Sequence, residues 1–158
     1  MSNQLTNLGL SNGITRINAS AFRDNRLRTL LMPDSINDVR ASAFRDNLID
    51  NLRLSENLHQ FPTSMFDNNR LKEIHLSNSV TSLGDYVFRN NKIEQGNATI
   101  DNDVESVSEG VGVLNNNIGE NLFFLYLRDK TKTNQLVSFS FSVTSNSHIS
   151  YIDPYFMI

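Results

Sequence analysis

The stretch LKEIHLSNSVTSLGDYVF, Leu71 to Phe88, decides the fold, because its spacing of apolar residues recurs upstream at one fixed interval. Phe88 ends a comb of Phe22, Phe44, Phe66 and Phe88, each 22 residues from the next. The other apolar positions fall into columns on the same interval. A first column reads Leu5, Leu27, Ile49, Leu71, Ile93, a second Leu8, Leu30, Leu52, Ile74, and a third Leu10, Met32, Leu54, Leu76. Ile14, Ile36, Leu58, Val80 and then Ile17, Val39, Phe61, Leu83 complete each unit before the Phe. The unit is L-x-x-L-x-L-x3-I-x2-I-x4-F, with a small or apolar residue usually preceding the Phe. Self-similarity at such a period outranks any local motif and marks a repeat protein.

One such unit cannot bury its apolar stripe alone. Stacking units roughly 4.8 Å apart along a β-ladder makes a continuous core, pairs each strand's backbone and turns every column into a line of physical neighbours. The units run 5–26, 27–48, 49–70 and 71–92. A fifth, from Ile93, decays, with Gly96 in its second column and a two-residue slip that moves later apolar positions to Ile100, Val104 and Val107. Asn115, Asn116 and Asn117 close the repeat region. Beyond them Val137, Phe139, Phe141 and Val143 alternate with Ser138, Ser140, Ser142 and Thr144, the period of a half-buried strand. Leu122 to Leu127 is an apolar run of strand length, and a polar stretch, Arg128 to Gln135, separates the two. A hairpin over the last coil follows, with residues 149–158 as a tail.

The text from Leu71 to Phe88, repeated in register over residues 3 to about 110, resembles the BspA-like leucine-rich repeats, a bacterial surface-antigen class. The resemblance implies a mainly β, right-handed leucine-rich-repeat solenoid; the 22-residue units and a C-terminal β-hairpin cap are read from the residues themselves, and the C-terminal segment does not match the family pattern. The resemblance also implies scant helix, and an extracellular or cell-surface location in a protein that binds host proteins or other surfaces. Residues 1–117 form the solenoid, and residues 118–158 a C-terminal β cap or the start of a following domain.

The columns carry different chemistry. Asn3, Asn25, Asn47, Asn69 and Asn91 form an Asn column, expected to hold the turn after each Phe, since Asn tolerates the left-handed conformation and its amide bonds the backbone. Ser20, Ser42 and Ser64 are expected to serve the same turn. Thr6, Arg28, Asp50, Lys72 and Glu94 alternate in sign, so each charge is expected to neighbour its opposite at about 0.2–1 kcal/mol per pair. Arg23, Arg26, Arg45, Arg70, Arg89 and Lys92 recur after the Phe, with Asp24, Asp46 and Asp67 interleaved, which reads as a solvated turn face. Two outward columns do not repeat chemically: Asn7, Thr29, Asn51, Glu73, Gln95 and Gly9, Leu31, Arg53, His75, Asn97. Core and turn columns must repeat to build the stack, whereas a varying outward column is free to match a partner. The partner-binding candidates are therefore Thr29, Leu31, Asn51, Arg53, Glu73 and His75, with Arg53 and His75 first.

Composition narrows the function further. A net charge of −3 and a pI near 5.5 give no broad electropositive field, which argues against nucleic acid and anionic membranes as partners. The chain has no cysteine, which removes disulfides, thiolate metal sites and Cys nucleophiles. No stretch approaches the roughly 20 apolar residues of a membrane span, so membrane insertion is not expected. His59, His75 and His148 occupy unrelated positions, and no catalytic motif or phosphate-binding glycine loop occurs. Asp101, Asp103 and Glu105 lack the EF-hand spacing, and the sequons at Asn18 and Asn97 carry little weight in a bacterial protein. No cofactor or catalytic residue is expected.

The repeat begins in mid-stride at Asn3, which reads as a piece cut at a repeat edge; a natural short form is the alternative. Uncapped ends expose apolar surface or a strand edge, so self-association through the solenoid ends is expected. The function that fits is a non-enzymatic protein- or glycan-binding module of a bacterial surface protein. Its rivals are a structural spacer that positions another domain, and an accessory domain of an enzyme whose catalytic part lies outside this chain.

Overall fold

The computed structural model describes residues 4–77, 79–94, 98–100, 108–109, 113–114, 116–117, 122–128 and 136–142. In chain order the strands are β1 (Arg16–Ile17), β2 (Thr29–Leu31), β3 (Asp38–Val39), β4 (Asn51–Arg53), β5 (Gln60–Phe61), β6 (Ile74–Leu76), β7 (Ser82–Leu83), β8 (Ala98–Ile100), β9 (Ser108–Glu109), β10 (Leu122–Arg128) and β11 (Leu136–Ser142). No helix occurs among the described residues.

Two sets of parallel ladders alternate along the chain. The L-x-x-L-x-L segments supply the front set, in which β2 pairs with β4 (Leu31 with Arg53) and β6 with β8 (Ile74 with Ala98). The second apolar pair of each unit supplies the rear set: β1 with β3, β5 with β7, and β7 with β9. Leu31 and Arg53 are 22 residues apart, Ile74 and Ala98 are 24, and Ser82 and Ser108 are 26. The fifth unit therefore carries a second two-residue insertion after the slip visible in sequence. The stack nonetheless recovers its phase. Phe88 N–H donates to Val113 O at 2.9 Å just as Phe66 N–H donates to Val87 O at 2.9 Å, so Leu114 takes the place of the next Phe.

Phe44, Phe66 and Phe88 are fully buried and stack with ring centroids 5.7 Å apart at interplanar angles of 9° and 4°. Phe22 stacks on Phe44 at 5.5 Å but is only half-buried, because it lies in the first coil and has one ring neighbour instead of two. Around this file sit Leu27, Leu30, Met32, Ile49, Leu71 and Ile93, all buried.

The Asn column holds the turn by hydrogen bonding. In the third coil Asn69 Oδ1 accepts Ile49 N–H at 3.0 Å, and Nδ2 donates to Phe66 O at 3.1 Å and across the stack to Phe44 O at 3.0 Å. Asn47 and Asn91 repeat the arrangement, and Asn117 extends it by accepting Ile93 N–H at 3.0 Å. The left-handed residue is not this Asn but the one before it. Asp24, Asp46, Asn68, Asn90 and Asn116 have φ between 56° and 60°, as do Ser20, Ser42, Ser64 and Tyr86 earlier in each turn. Asp and Asn suit that conformation because a short polar side chain compensates locally.

Two charge expectations are corrected. Arg28, Asp50, Lys72 and Glu94 are exposed, and among the described residues no ion pair joins them. Long side chains in water gain too little from pairing to be held in one geometry. Charges on and beside the rear strands pair, Arg16 and Arg40 with Asp38, and so do charges in the turn after the Phe, which is not uniformly solvated. Asp67 is fully buried, with Arg89 Nη2 at 2.6 Å and Arg89 Nε at 3.1 Å, Asn90 Nδ2 at 3.0 Å, and Arg45 Nε at 3.4 Å. Asp67 replaces the Arg of its column, so it sits between Arg45 and Arg89 in the stack and faces both, while Asp46 supplies a second carboxylate at 3.3 Å from Arg45 Nε. Arg89 also covers the Tyr86 ring at 4.3 Å, and Asp67 holds the Arg89 guanidinium above its ordinary range.

At the far end β10 runs parallel to β8 at Tyr126 and Thr99, and antiparallel to β11 from Leu122 with Ser142 to Arg128 with Leu136. The front sheet thus continues as β6-β8-β10-β11. Asn3, Gln95, Gly96, Asn97, Asp101, Asp103, Val104, Glu105, Val107, Asn115, Val143, Thr144 and His148 lie outside the described residues, as do 129–135 and the tail 149–158.

Candidate functional site

Alternation along each short front strand buries the residues of the L-x-x-L-x-L pattern and turns their neighbours outward. Thr29, Leu31, Asn51, Arg53, Glu73 and His75 are all exposed. Ladder pairing sets Thr29 beside Asn51 and Leu31 beside Arg53. Leu31 is 54% exposed, an apolar side chain on an otherwise polar face. Glu73 and His75 belong to the next coil, where His75 Nε2 lies 3.9 Å from Glu73 Oε2.

Arg53 is not a loose cation. Its Nη1 donates to Met32 O at 2.6 Å, and Nη2 donates to Asp34 Oδ1 at 3.2 Å and Oδ2 at 3.1 Å. The guanidinium thus folds over the turn of the preceding coil. Asp34 also accepts Glu56 N–H at 3.2 Å. That backbone hydrogen bond, and then the one from Arg53, hold the Asp34 carboxyl below the usual carboxylate range. Asp34 and Glu56 are members of the site that no outward column announced.

The front ladder is interrupted between the third and fourth coils. β4 pairs with β2 and β6 pairs with β8, but β4 and β6 belong to separate sheets. Elsewhere the coils stay in contact: Arg70 N–H donates to Ile49 O at 2.9 Å before the interruption, and Thr81 N–H to His59 O at 2.7 Å after it. The interruption opens a cleft of about 220 Å³. Half-buried Leu52 and Leu54 and buried Leu58, Phe61 and Val80 line it, together with the polar Arg53, Ser55, Glu56, His75 and Ser77. Leu52 and Leu54 are half-buried, whereas their counterparts Leu30, Met32, Ile74 and Leu76 are buried. The volume is below the roughly 300–1,000 Å³ of small-molecule sites and suits a single inserted side chain. Arg53 and His75 therefore both line the cleft from strands of separate sheets, rather than standing as neighbours on one continuous sheet.

Among the described residues no group of three His, Cys, Asp or Glu side chains could hold a metal ion. His59 Nδ1 lies 2.9 Å from Ser79 O, a contact between successive coils.

The model of one protein family, the BspA type leucine-rich repeat region, matches residues 1–111 in 6 copies. The chain belongs to the BspA-type leucine-rich repeat family. No curated protein and no solved structure matches it. Repeats of this family are generally non-catalytic and typically surface-associated in bacteria, and leucine-rich repeat modules typically bind proteins. No helix among the described residues is long and apolar enough to cross a membrane.

Proposed function

We propose that this BspA-type repeat is a protein-binding module of a bacterial surface protein, and that it takes its partner on the front face around Leu31, Arg53 and His75. The observation that carries the reading is the cleft between β4 and β6, where half-buried Leu52 and Leu54 are partly accessible beside the polar Arg53, Glu56, His75 and Ser77, on the front face that also presents exposed Leu31. A partner side chain entering the cleft would bury apolar surface on both sides, at about 25 cal/mol per Å². Arg53, Glu56, His75 and Ser77 supply polar contacts that set orientation, and Thr29, Asn51 and Glu73 extend the contact along the ladder. Anchor in a pocket and polar surround is the usual anatomy of a binding hot spot.

A protein fits better than a glycan. Sugar faces are gripped by stacking on aromatic rings, and the six front-face candidates include no Phe, Tyr or Trp. In this reading the solenoid is right-handed over residues 1–117, and residues 118–158 form a C-terminal segment whose strands β10 and β11 extend the front sheet over the last coil. The scaffold's rigidity, from the Phe file and the Asn column, keeps the face preorganised and lowers the entropic cost of binding.

The test is an array of extracellular proteins and glycans, probed with wild type, with Arg53→Ala/His75→Ala, and with Thr81→Ala as a control away from the face. Partners should be proteins, and the double variant, checked to be folded by its denaturant melt because it also loses the Arg53–Asp34 pair, should lose about tenfold or more of their affinity, since hot-spot truncations cost upward of about 1–2 kcal/mol. Equal binding by wild type and double variant places the site elsewhere. Glycan-only retention refutes the protein reading.

A further inference from the structure

We infer that β11 is a pairing edge for a second copy of this chain, the two strands running antiparallel about Phe139. The sheet order is β11-β10-β8-β6, and among the described residues no strand lies on the outer side of β11. This edge is long, at 7 residues, where the strands from β1 to β9 have 2 or 3. Proteins blunt such edges with short strands, charges, Pro or bulges, because an edge offers a row of N–H and C=O groups to any second chain. None of these devices is present here. LVSFSFS has no charged residue and no Pro, and its register with β10 runs without a bulge from Leu122 with Ser142 to Arg128 with Leu136.

The sequence of the edge favours its own copy as the occupant. A two-fold axis at Phe139 pairs Val137 with Phe141, Ser138 with Ser140 and Phe139 with itself, so the alternation of apolar residue and serine is kept across residues 137–141, and only the end pair, Leu136 with Ser142, departs from it. A slip by one residue would oppose serine to phenylalanine along the whole strand, which is how alternation fixes register. Such a contact is isologous. Each copy consumes its one β11 edge, so the association closes at a dimer instead of growing into a filament.

The experiment is sedimentation velocity on the full chain over a concentration series. Three proteins are compared: wild type, Ser138→Lys/Ser140→Lys, and Ser138→Glu/Ser140→Glu. In the proposed register position 138 of one copy lies opposite position 140 of the other. Either double variant therefore places like charges face to face twice, and should weaken the dimer by about tenfold or more. A mixture of the lysine and glutamate proteins opposes unlike charges and should restore a dimer. Wild-type dimer, monomeric variants and a mixed dimer together support the inference. A wild type that stays monomeric at the highest concentration overturns it. A dimer that survives the lysine substitutions overturns it too, and so do variants that fail to recombine.

A second measurement needs no charged residue. The chain has no cysteine, so Ser140→Cys accepts a single spin label. Diagonal neighbours across an antiparallel pair lie within about 8 Å, so the labels of the two copies should sit within roughly 20 Å. A dimer whose labels are farther apart refutes pairing at this edge.

Discussion

Asn69 lies in the middle of the stack, 5% exposed, and joins two coils through one amide. Its Oδ1 accepts Ile49 N–H at 3.0 Å, while Nδ2 donates to Phe44 O at 3.0 Å, Phe66 O at 3.1 Å and Asp67 O at 3.4 Å. Nδ2 has only two hydrogens, so its three carbonyl contacts count as two bonds. Asn69→Ala strands the Ile49 N–H and deprives the carbonyls of their donor where water does not reach. Each stranded buried group costs about 1–3 kcal/mol, which puts the expected loss on the order of 3–5 kcal/mol. Asn25→Ala is the internal comparison. Asn25 bonds Leu5 N–H at 3.1 Å, Phe22 O at 3.0 Å and Arg23 O at 3.1 Å, without a carbonyl from a preceding coil, so its loss should be smaller.

Asn69→Asp separates the two ends of the amide. The acceptor for Ile49 N–H survives, but a carboxylate oxygen now faces carbonyls, so at neutral pH the Asp variant should be less stable than the Ala variant. Protonation supplies an O–H donor, which raises the folded-state pKa of the new carboxyl above its unfolded value of about 3.9. The sign follows: the protonated form's stabilisation is present below that value and is lost as pH rises through the folded pKa. Urea unfolding followed by far-UV circular dichroism, at about pH 7 and about pH 4 against wild type at the same pH, reads both effects. The reasoning is refuted if Asn69→Ala costs less than about 1 kcal/mol, or if the Asp variant's deficit fails to shrink on acidification.

Phe66, sandwiched at 5.7 Å between Phe44 and Phe88, should cost about 3–5 kcal/mol on truncation to Ala, and half-buried Phe22 distinctly less; equal losses in denaturant melts would contradict the stacked file. Gly84→Ala should cost roughly 1–3 kcal/mol, because a Cβ there would lie 2.6 Å from Thr63 N and 2.9 Å from Pro62 C, backbone atoms that cannot yield; an unchanged melting temperature would show that the coils are farther apart. Asp34 and Arg53 should show favourable coupling in a double-mutant cycle at about pH 7 that disappears near pH 2. The depressed Asp34 pKa makes its contribution present above the unfolded value and lost as pH falls through the folded one; coupling that persists in acid would exclude the ion pair.

Whatever repeats was legible from the sequence. The Phe file, the apolar columns and the Asn column could be read because stacking forces equivalent residues into the same environment. The left-handed turn position was also written there, as the Asp24, Asp46, Asn68, Asn90 column, but the invariant Asn beside it drew the assignment. The Arg28, Asp50, Lys72, Glu94 alternation misled because sign complementarity in sequence does not specify geometry for long side chains in water. Burial of Asp67 was legible only as a break in the column of Arg23, Arg45 and Arg89, one acid where arginine repeats. The cleft had no sequence signal: Leu52 and Leu54 belong to the same columns as buried Ile74 and Leu76, and the interruption arises from how two coils meet. Arg53 and His75 were singled out for a varying outward column and for the contacts a guanidinium and an imidazole can make, and both line that cleft.

Hydrogen exchange at single residues, on the free protein and with a partner captured on the array, tests the account most directly. Met32 N–H donates to Arg53 O at 2.9 Å, whereas Leu54, its counterpart one unit on, faces the interruption between β4 and β6. In the free protein the Leu54 amide should exchange about tenfold or more faster than that of Met32. In the complex, protection should appear at residues 29–31, 51–56 and 74–77. A Leu54 amide as slow as Met32's in the free protein, or protection confined to the rear strands β3, β5 and β7, would contradict binding at the front-face cleft.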